Sequence, residues 1–286
     1  EWANSIDRGS RVALFSAAPH GASAAIIRTA LERAAAREFD IHVVDASADF
    51  RYAKQADYEA VYGEHGAPEL LGAFSSGLPE HVDGTPSQHV GHPGCFASAI
   101  LLASVPLVDS GLTDGELFAT GITGSTGSGR SPQPGTHHPE RHSNLYAYKP
   151  LSHRHAPEVC LLAQKATGTL PKLNFVPHSG PFARGIHMTV QAHAKGVSTA
   201  DLAGIFERAY ADCAFVKILD GTPRLKDVVA SNACRIGVAA GEDSVAVTAV
   251  IDNLVKGAAG GAVQWMNRLC GLPETAGLIA PAPAWT

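Results

Sequence analysis

A strand, a helix and a second strand are expected over residues 11–17, 23–38 and 41–45, with Pro19-His20-Gly21 as the turn between the first two. Apolar residues fill both strands, and alanines carry the helix between them. That order implies parallel strands joined by a crossover helix, so the chain opens as an α/β sheet. Many such sheets hold a nucleotide on a glycine-rich turn after the first strand. No G-x-G-x-x-G or Walker-type sequence occurs near this N-terminus, and Gly21 alone reads as a helix-entry turn.

Residues 49–88 are polar and read as irregular. From residue 173 the pattern becomes strand-rich, with strands expected over 173–177, 186–194, 214–219, 234–238 and 245–251. One helix interrupts them over 198–210, capped by Ser198 and Asp201. Such a run points to an α+β domain with a largely antiparallel sheet. A last helix over 258–269 carries Val263, Met266 and Leu269 as a packing stripe. With 286 residues and 45% hydrophobic content, the chain can bury two cores, and two domains are expected.

The net charge of -5 comes without a basic tract, which argues against nucleic-acid binding. No apolar run approaches the roughly 18 residues needed to span a bilayer. The first residues, Glu1-Trp2-Ala3-Asn4-Ser5-Ile6-Asp7, show no signal-peptide pattern, and a cytoplasmic, cytosolic protein without membrane partners is expected. Five widely spaced cysteines, at 95, 160, 213, 234 and 270, include no C-x-x-C pair and fit neither a disulfide framework nor a Cys-rich zinc site.

Cys95 stands in Gly91-His92-Pro93-Gly94-Cys95-Phe96-Ala97-Ser98-Ala99, directly before the apolar run 100–107. It is therefore expected to open a helix that Pro106 bends or ends. Unpaired backbone N–H groups and the helix dipole favour thiolate there, and a thiolate attacks carbonyl carbon. Core filler is the plainer alternative for a cysteine. The balance moves with His137-His138-Pro139-Glu140-Arg141-His142 and Ser152-His153-Arg154-His155-Ala156-Pro157-Glu158, which hold five of the 14 histidines and so a source of a base. Between them a strand over 117–123 runs into Gly124-Ser125-Thr126-Gly127-Ser128-Gly129-Arg130, either an anion cradle or a flexible connection.

Taken together, these and other segments resemble the N-acetyl-gamma-glutamyl-phosphate reductases of arginine biosynthesis and their relatives that act on aminoadipyl phosphate. The segments are Ala18-Pro19-His20-Gly21, Val44-Asp45-Ala46-Ser47-Ala48-Asp49-Phe50-Arg51, Tyr62-Gly63, Gly77-Leu78-Pro79-Glu80, Pro93-Gly94-Cys95, the glycine-serine loop, His153-Arg154-His155 with Glu158, Arg184-Gly185-Ile186 and Asp252-Asn253-Leu254-Val255-Lys256-Gly257. The resemblance runs over nearly the whole chain.

The resemblance implies an α/β plus α+β enzyme with a Rossmann-type NADP-binding domain and a catalytic domain like that of glyceraldehyde-phosphate dehydrogenase. Family members carry about two further α/β steps at the N-terminus, including the glycine-rich turn. The expectation is therefore an incomplete dinucleotide-binding domain over 1–92, completed by a C-terminal helix within 258–286, and a catalytic and dimerisation domain over 93–257. The implied activity is NADPH-dependent reduction of an acyl phosphate to a semialdehyde through a thioester on Cys95. His153 is the expected acid/base and His155 its rival, since on an extended segment the two would share a face. Glu158 would orient an imidazole.

Pro19, His20, Gly21, Ser125, Gly127 and Asn253 are the expected cofactor residues. Arg184, Arg154 and Arg141, with Lys149 behind them, are the expected anchors for a substrate anion. A homodimer or homotetramer is implied. His137-His138-Pro139-Glu140-Arg141 leans towards the aminoadipyl branch, whose substrate rides on an acidic carrier protein. Gly124-Ser125-Thr126-Gly127 leans towards the arginine branch, and N-acetyl is the expected acyl group. The rival classes are a zinc hydrolase, disfavoured by the misplaced H-x-x-x-H at 138–142, and a truncated, non-catalytic relative.

Overall fold

The computed structural model describes residues 5–84, 87–129 and 131–283. Arg130 of the glycine-serine run, residues 85–86 of the stretch read as irregular, and the chain ends 1–4 and 284–286 lie outside the described residues. Two compact units divide the chain, one of residues 1–94 with 261–276 and one of residues 95–260 with 277–286.

In the first unit, β1 (Arg11–Ser16), α1 (Ala22–Arg37) and β2 (Asp40–Asp45) form the expected strand, helix and strand. β1 and β2 are parallel, from Arg11 opposite Asp40 to Ser16 opposite Asp45. α1 buries Ala24, Ile27, Ala30 and Ala34. These small side chains at helical spacing pack in one cluster with Ile41, Val43, Phe50 and Phe74. Residues 49–88 are not irregular throughout, because they hold α2 (Gln55–Tyr62) and β3 (Phe74–Ser76), followed by β4 (His89–Gly91). α2 buries only Tyr58 and each of these strands has three residues, too little for a periodic signal. The sheet order is β1-β2-β4-β3, all parallel.

The second unit is built around α3 (Cys95–Asp109), in which residues 96–108 are all buried. A helix apolar on every side belongs in the middle of a core. Around it follow β5 (Glu116–Thr123), α4 (His138–Arg141), β6 (Tyr146–Ala147), α5 (His155–Thr167), β7 (Lys172–Ser179), β8 (Ile186–His193), α6 (Thr199–Ala209), β9 (Val216–Leu219), β10 (Cys234–Ala240) and β11 (Ser244–Ile251). Their sheet order is β6-β7-β5-β8-β11-β10-β9. Only β5–β7 and β9–β10 are parallel, so the sheet is largely antiparallel, as expected. Along β5, Leu117 and Ala119 are buried while Phe118, which points to the opposite face, is 43% exposed. The last helix, α7 (Gly260–Leu269), belongs to the first unit from residue 261, where its Trp265 is fully buried with Val44 and Val90.

Pro106 does not end α3, which runs on to Asp109. Proline has no N–H to give the carbonyl four residues back, that of Leu102. The Tyr210 hydroxyl donates to the Leu102 carbonyl instead, at 2.8 Å and out of contact with water. Tyr210→Phe is expected to cost about 1–2 kcal/mol by leaving that oxygen unsatisfied. Urea unfolding checks it, and unchanged stability would contradict it.

Candidate active site

Cys95 is the first residue of α3 and is half-buried. Tyr148 follows β6 and lies near it: burial, then the neighbouring Cys95, holds the Tyr148 phenol well above its usual pKa and so protonated. The Tyr148 ring meets that of His153 edge-on at 5.7 Å. His153 is buried between Phe96 at 5.7 Å, Phe175 at 5.4 Å and His155 at 4.7 Å, each measured between ring centres. Cys95, Tyr148 and His153 thus form one cluster of groups that can carry protons.

The state of His153 follows from its surroundings. Burial, then the positive charges of Arg154 and Lys149, lower its pKa to about 4. Its Nδ1 accepts the His155 backbone N–H at 3.2 Å, which assigns the proton of the neutral ring to Nε2. Near neutral pH this neutral imidazole can donate a hydrogen bond through Nε2–H and is poorly suited to taking a proton from a thiol. The same shift has a stability consequence. Between about pH 4 and pH 6.5 the unfolded histidine binds a proton that the folded one refuses, so stability falls as pH drops through that window. His153→Gln should show a shallower loss of Tm between about pH 7 and about pH 4.5. Parallel losses in variant and parent would contradict this.

His155 and Glu158 both lie on a helix. The segment is not extended at His155, which starts α5, and Arg154 stands exposed at the helix entrance. His155 and Glu158 are both buried, and three residues apart on a helix they share a face.

The chain's own hydrogen bonds occupy most of the groups expected to hold cofactor. The Gly21 N–H donates to both carboxylate oxygens of Asp49, at 2.8 and 3.0 Å, and the Ala24 N–H donates to Asp49 at 2.8 Å. A carboxylate therefore caps α1, and the start of this helix does not fit a phosphate. In the glycine-serine loop, Gly124, Ser125 and Thr126 donate their N–H groups to Gly185, Phe182 and Ala183, while Gly127 donates to Gly124 and Gly129 to Thr126. Among the described residues, these loop donors serve the 182–185 segment and the loop itself. Asn253 accepts from the Gly185 N–H at 2.7 Å and donates to the Thr126 hydroxyl at 3.0 Å, tying the same segments together.

Two of the expected substrate arginines are likewise engaged. Arg184 pairs with the fully buried Asp252, through Nε at 3.1 Å and Nη2 at 3.2 Å. Arg141 is buried in α4, donating to the Ser179 hydroxyl at 2.8 Å and to the Gly180 carbonyl. Both guanidinium groups brace the fold, and the Arg184 side chain stays 36% exposed beside its partner. Arg154 and Lys149 remain exposed, and both charges reach His153. Among the described residues, no group of three or more His, Cys, Asp or Glu side chains is placed to hold a metal ion. Likewise, no described helix is long and apolar enough to cross a membrane.

Two important residues carry no clear mark in the sequence. Tyr148 has no motif around it beyond the neighbouring Lys149. Asp252 lies within a recognised segment, yet its pairing with Arg184 links positions 68 residues apart.

Comparison with known proteins gives the chain's family and fold. Residues 95–253 match the family described as "Semialdehyde dehydrogenase, dimerisation domain". The N-acetyl-gamma-glutamyl-phosphate reductase of Alkalilimnicola ehrlichii is 39% identical over 279 residues, covering 94% of this chain and 79% of that protein. Those of Pseudomonas aeruginosa and Methanopyrus kandleri are 40% and 38% identical, covering 93% and 94% of this chain and 77% and 78% of theirs. In fold the chain resembles aspartate semialdehyde dehydrogenase II from Vibrio cholerae, with a TM-score of 0.67 over 95% of this chain and 81% of the other at 17% identity. By these relatives, the chain belongs to the N-acetyl-gamma-glutamyl-phosphate reductase family of nicotinamide-dependent semialdehyde dehydrogenases.

Proposed function

We propose that this chain reduces N-acetyl-gamma-glutamyl phosphate to the corresponding semialdehyde, with NADPH as the reductant. The observation that carries this reading is the shared name of relatives 38–40% identical over more than nine-tenths of the chain. Cys95, opening a buried helix beside Tyr148 and His153, supplies the chemistry. Its sulfur attacks the acyl carbon, the bond from that carbon to the phosphate oxygen breaks, and inorganic phosphate leaves a thioester on Cys95. The nicotinamide, when bound, supplies the hydride that a thioester can accept and a carboxylate cannot. The Nε2–H of His153 donates a hydrogen bond to the acyl oxygen as negative charge grows there, the protonated Tyr148 phenol supports it, and the carbon–sulfur bond then breaks, releasing the semialdehyde and returning the Cys95 thiolate. Exposed Arg154, together with the part-exposed Arg184, is the proposed guanidinium for a substrate anion.

Residues 1–92 with the helix within 258–286 are the proposed cofactor domain, and 93–257 the catalytic domain. Pro19 and His20 follow the carboxyl end of β1, the side on which open α/β sheets take their ligands, and are the proposed cofactor contacts there. The α1 N-terminus does not fit the pyrophosphate. The relatives named above are N-acetyl-gamma-glutamyl-phosphate reductases, so the free N-acetyl substrate is preferred. A cytosolic location is proposed with it, and recovery in the membrane pellet would contradict that.

Phosphate-dependent NADP reduction by N-acetyl-glutamate semialdehyde tests the activity. Turnover with NAD alone would remove the NADP assignment. Activity only with a carrier-linked acyl phosphate would favour the lysine-type branch. Failure to bind NADPH in a fluorescence titration would favour a non-catalytic relative.

The matched region is a dimerisation domain, and the sheet face that bears Phe118 is the proposed meeting surface of two copies. Phe118→Asp is expected to sediment as a monomer. An unchanged oligomer would exclude that face.

A further inference from the structure

Gly257 lies in the turn Val255–Ala259, where the backbone winds as a π-helix. The N–H groups of Gly257 and Ala259 donate five residues back, to Asp252 at 3.0 Å and to Leu254 at 2.9 Å. Such wide turns are uncommon and recur at functional sites. Here the turn brings a bare backbone against the thiol residue. A Cβ built on Gly257 would stand 2.7 Å from the Cβ of Cys95 and 3.0 Å from its Cα, closer than carbon atoms pack. The obstacle is not the end of a flexible side chain, and α3 has little room to retreat, since residues 96–108 behind Cys95 are all buried.

The turn is itself held firmly. Asp252 accepts the N–H groups of Leu254 at 2.8 Å and Val255 at 2.9 Å, and Lys256 is fully buried with its ammonium 5.6 Å from the centre of the Phe215 ring. The position of a Cβ sets where the sulfur beyond it can reach. A nucleophile misplaced by about 1 Å loses on the order of 100-fold in rate.

We propose that Gly257 is a positioning residue for the Cys95 thiol: its side-chain-free π-helical turn is the wall against which the Cβ of Cys95 is seated, and this aims Sγ at the acyl carbon. The inference rests on the reading of Cys95 as nucleophile. It assigns the turn a task that its hydrogen bonds alone do not explain.

The test compares Gly257→Ala with Gly260→Ala in the full chain. A Cβ at Gly260 would meet Asn232 Oδ1 at 2.5 Å and Val255 Cγ1 at 2.6 Å, with Cys95 not among its nearest neighbours, so it crowds the same stretch without pressing on the thiol. The readouts are kcat, KM, Tm and the rate of iodoacetamide alkylation of the Cys95 peptide, followed by mass spectrometry from about pH 6 to about pH 9. Gly257→Ala is expected to lower kcat about 100-fold with KM within about threefold, and to change Cys95 alkylation at least about tenfold. Gly260→Ala should leave Cys95 alkylation within about twofold of the parent.

Parent-like turnover and alkylation in Gly257→Ala would overturn the proposal, and so would the same changes in Gly260→Ala. Should Gly257→Ala fail to fold, Ala259→Pro takes its place: it deletes the hydrogen bond to Leu254 without adding an atom at Cys95. Altered Cys95 alkylation is then expected, and parent-like alkylation would overturn the proposal. Cys95→Ser separates the two readings. If it keeps near-normal turnover, the nucleophile itself is wrong. If it is inactive while Gly257→Ala is normal, only the positioning role falls.

Discussion

Cys95→Ser should reduce turnover by at least about 1,000-fold, with the folded state and substrate binding retained. The two side chains differ by one atom, so the half-buried start of α3 can accept serine without repacking. What serine lacks is acidity. A thiol near a helix N-terminus ionises within reach of neutral pH, whereas an aliphatic hydroxyl needs a base to take its proton. The cluster offers none that is apt, because Tyr148 is held protonated and His153 is held neutral with its pKa near 4 and its Nδ1 already accepting a hydrogen bond. A loss confined to KM would mean that Cys95 contributes binding only. Retained phosphate-dependent NADP reduction with normal kcat would remove the thioester route.

The largest expected effect on stability falls at Asp252. This fully buried carboxylate accepts the backbone N–H groups of Ala230 at 2.6 Å, Leu254 at 2.8 Å and Val255 at 2.9 Å, and it pairs with Arg184 through two nitrogens. Asp252→Ala leaves three part-buried backbone donors and one part-exposed guanidinium without their acceptor, a loss of about 2–4 kcal/mol. In a domain of this size that corresponds to roughly 10 °C in Tm. Asp252→Asn keeps an acceptor oxygen and should lose less. Calorimetry of the three proteins checks the order. Equal stability of Asp252→Ala and the parent would show that the carboxylate does not hold the 183–185 and 252–255 segments together.

The strand–helix–strand opening is legible in the sequence because the hydrophobic period changes cleanly from strand to helix and back. The later strands are legible for the same reason. α5 carries a signal of its own, with Pro157 and Glu158 in the first turn and Val159, Leu162 and Ala163 buried at helical spacing. The crowded histidines ahead of it invite an extended reading instead. Cys95 is legible as a helix-opening thiol, since local sequence alone places it there.

The commitments of Arg184, Arg141 and Asn253 are not legible, because each depends on a partner far along the chain: Asp252 for Arg184, Ser179 and Gly180 for Arg141, and Gly185 and Thr126 for Asn253. A motif tells which residues recur together and not whether their polar atoms are already engaged. The same holds for the glycine-serine loop, whose composition suits an anion cradle while its N–H groups serve the neighbouring strand connection.

Mass spectrometry of the enzyme quenched during turnover tests the covalent route most directly. An acyl adduct is expected on the peptide that contains Cys95, on that cysteine and no other, and it should vanish when the hydride donor is added in excess. Turnover at full rate with no acyl group on Cys95 at any quench time would contradict the account.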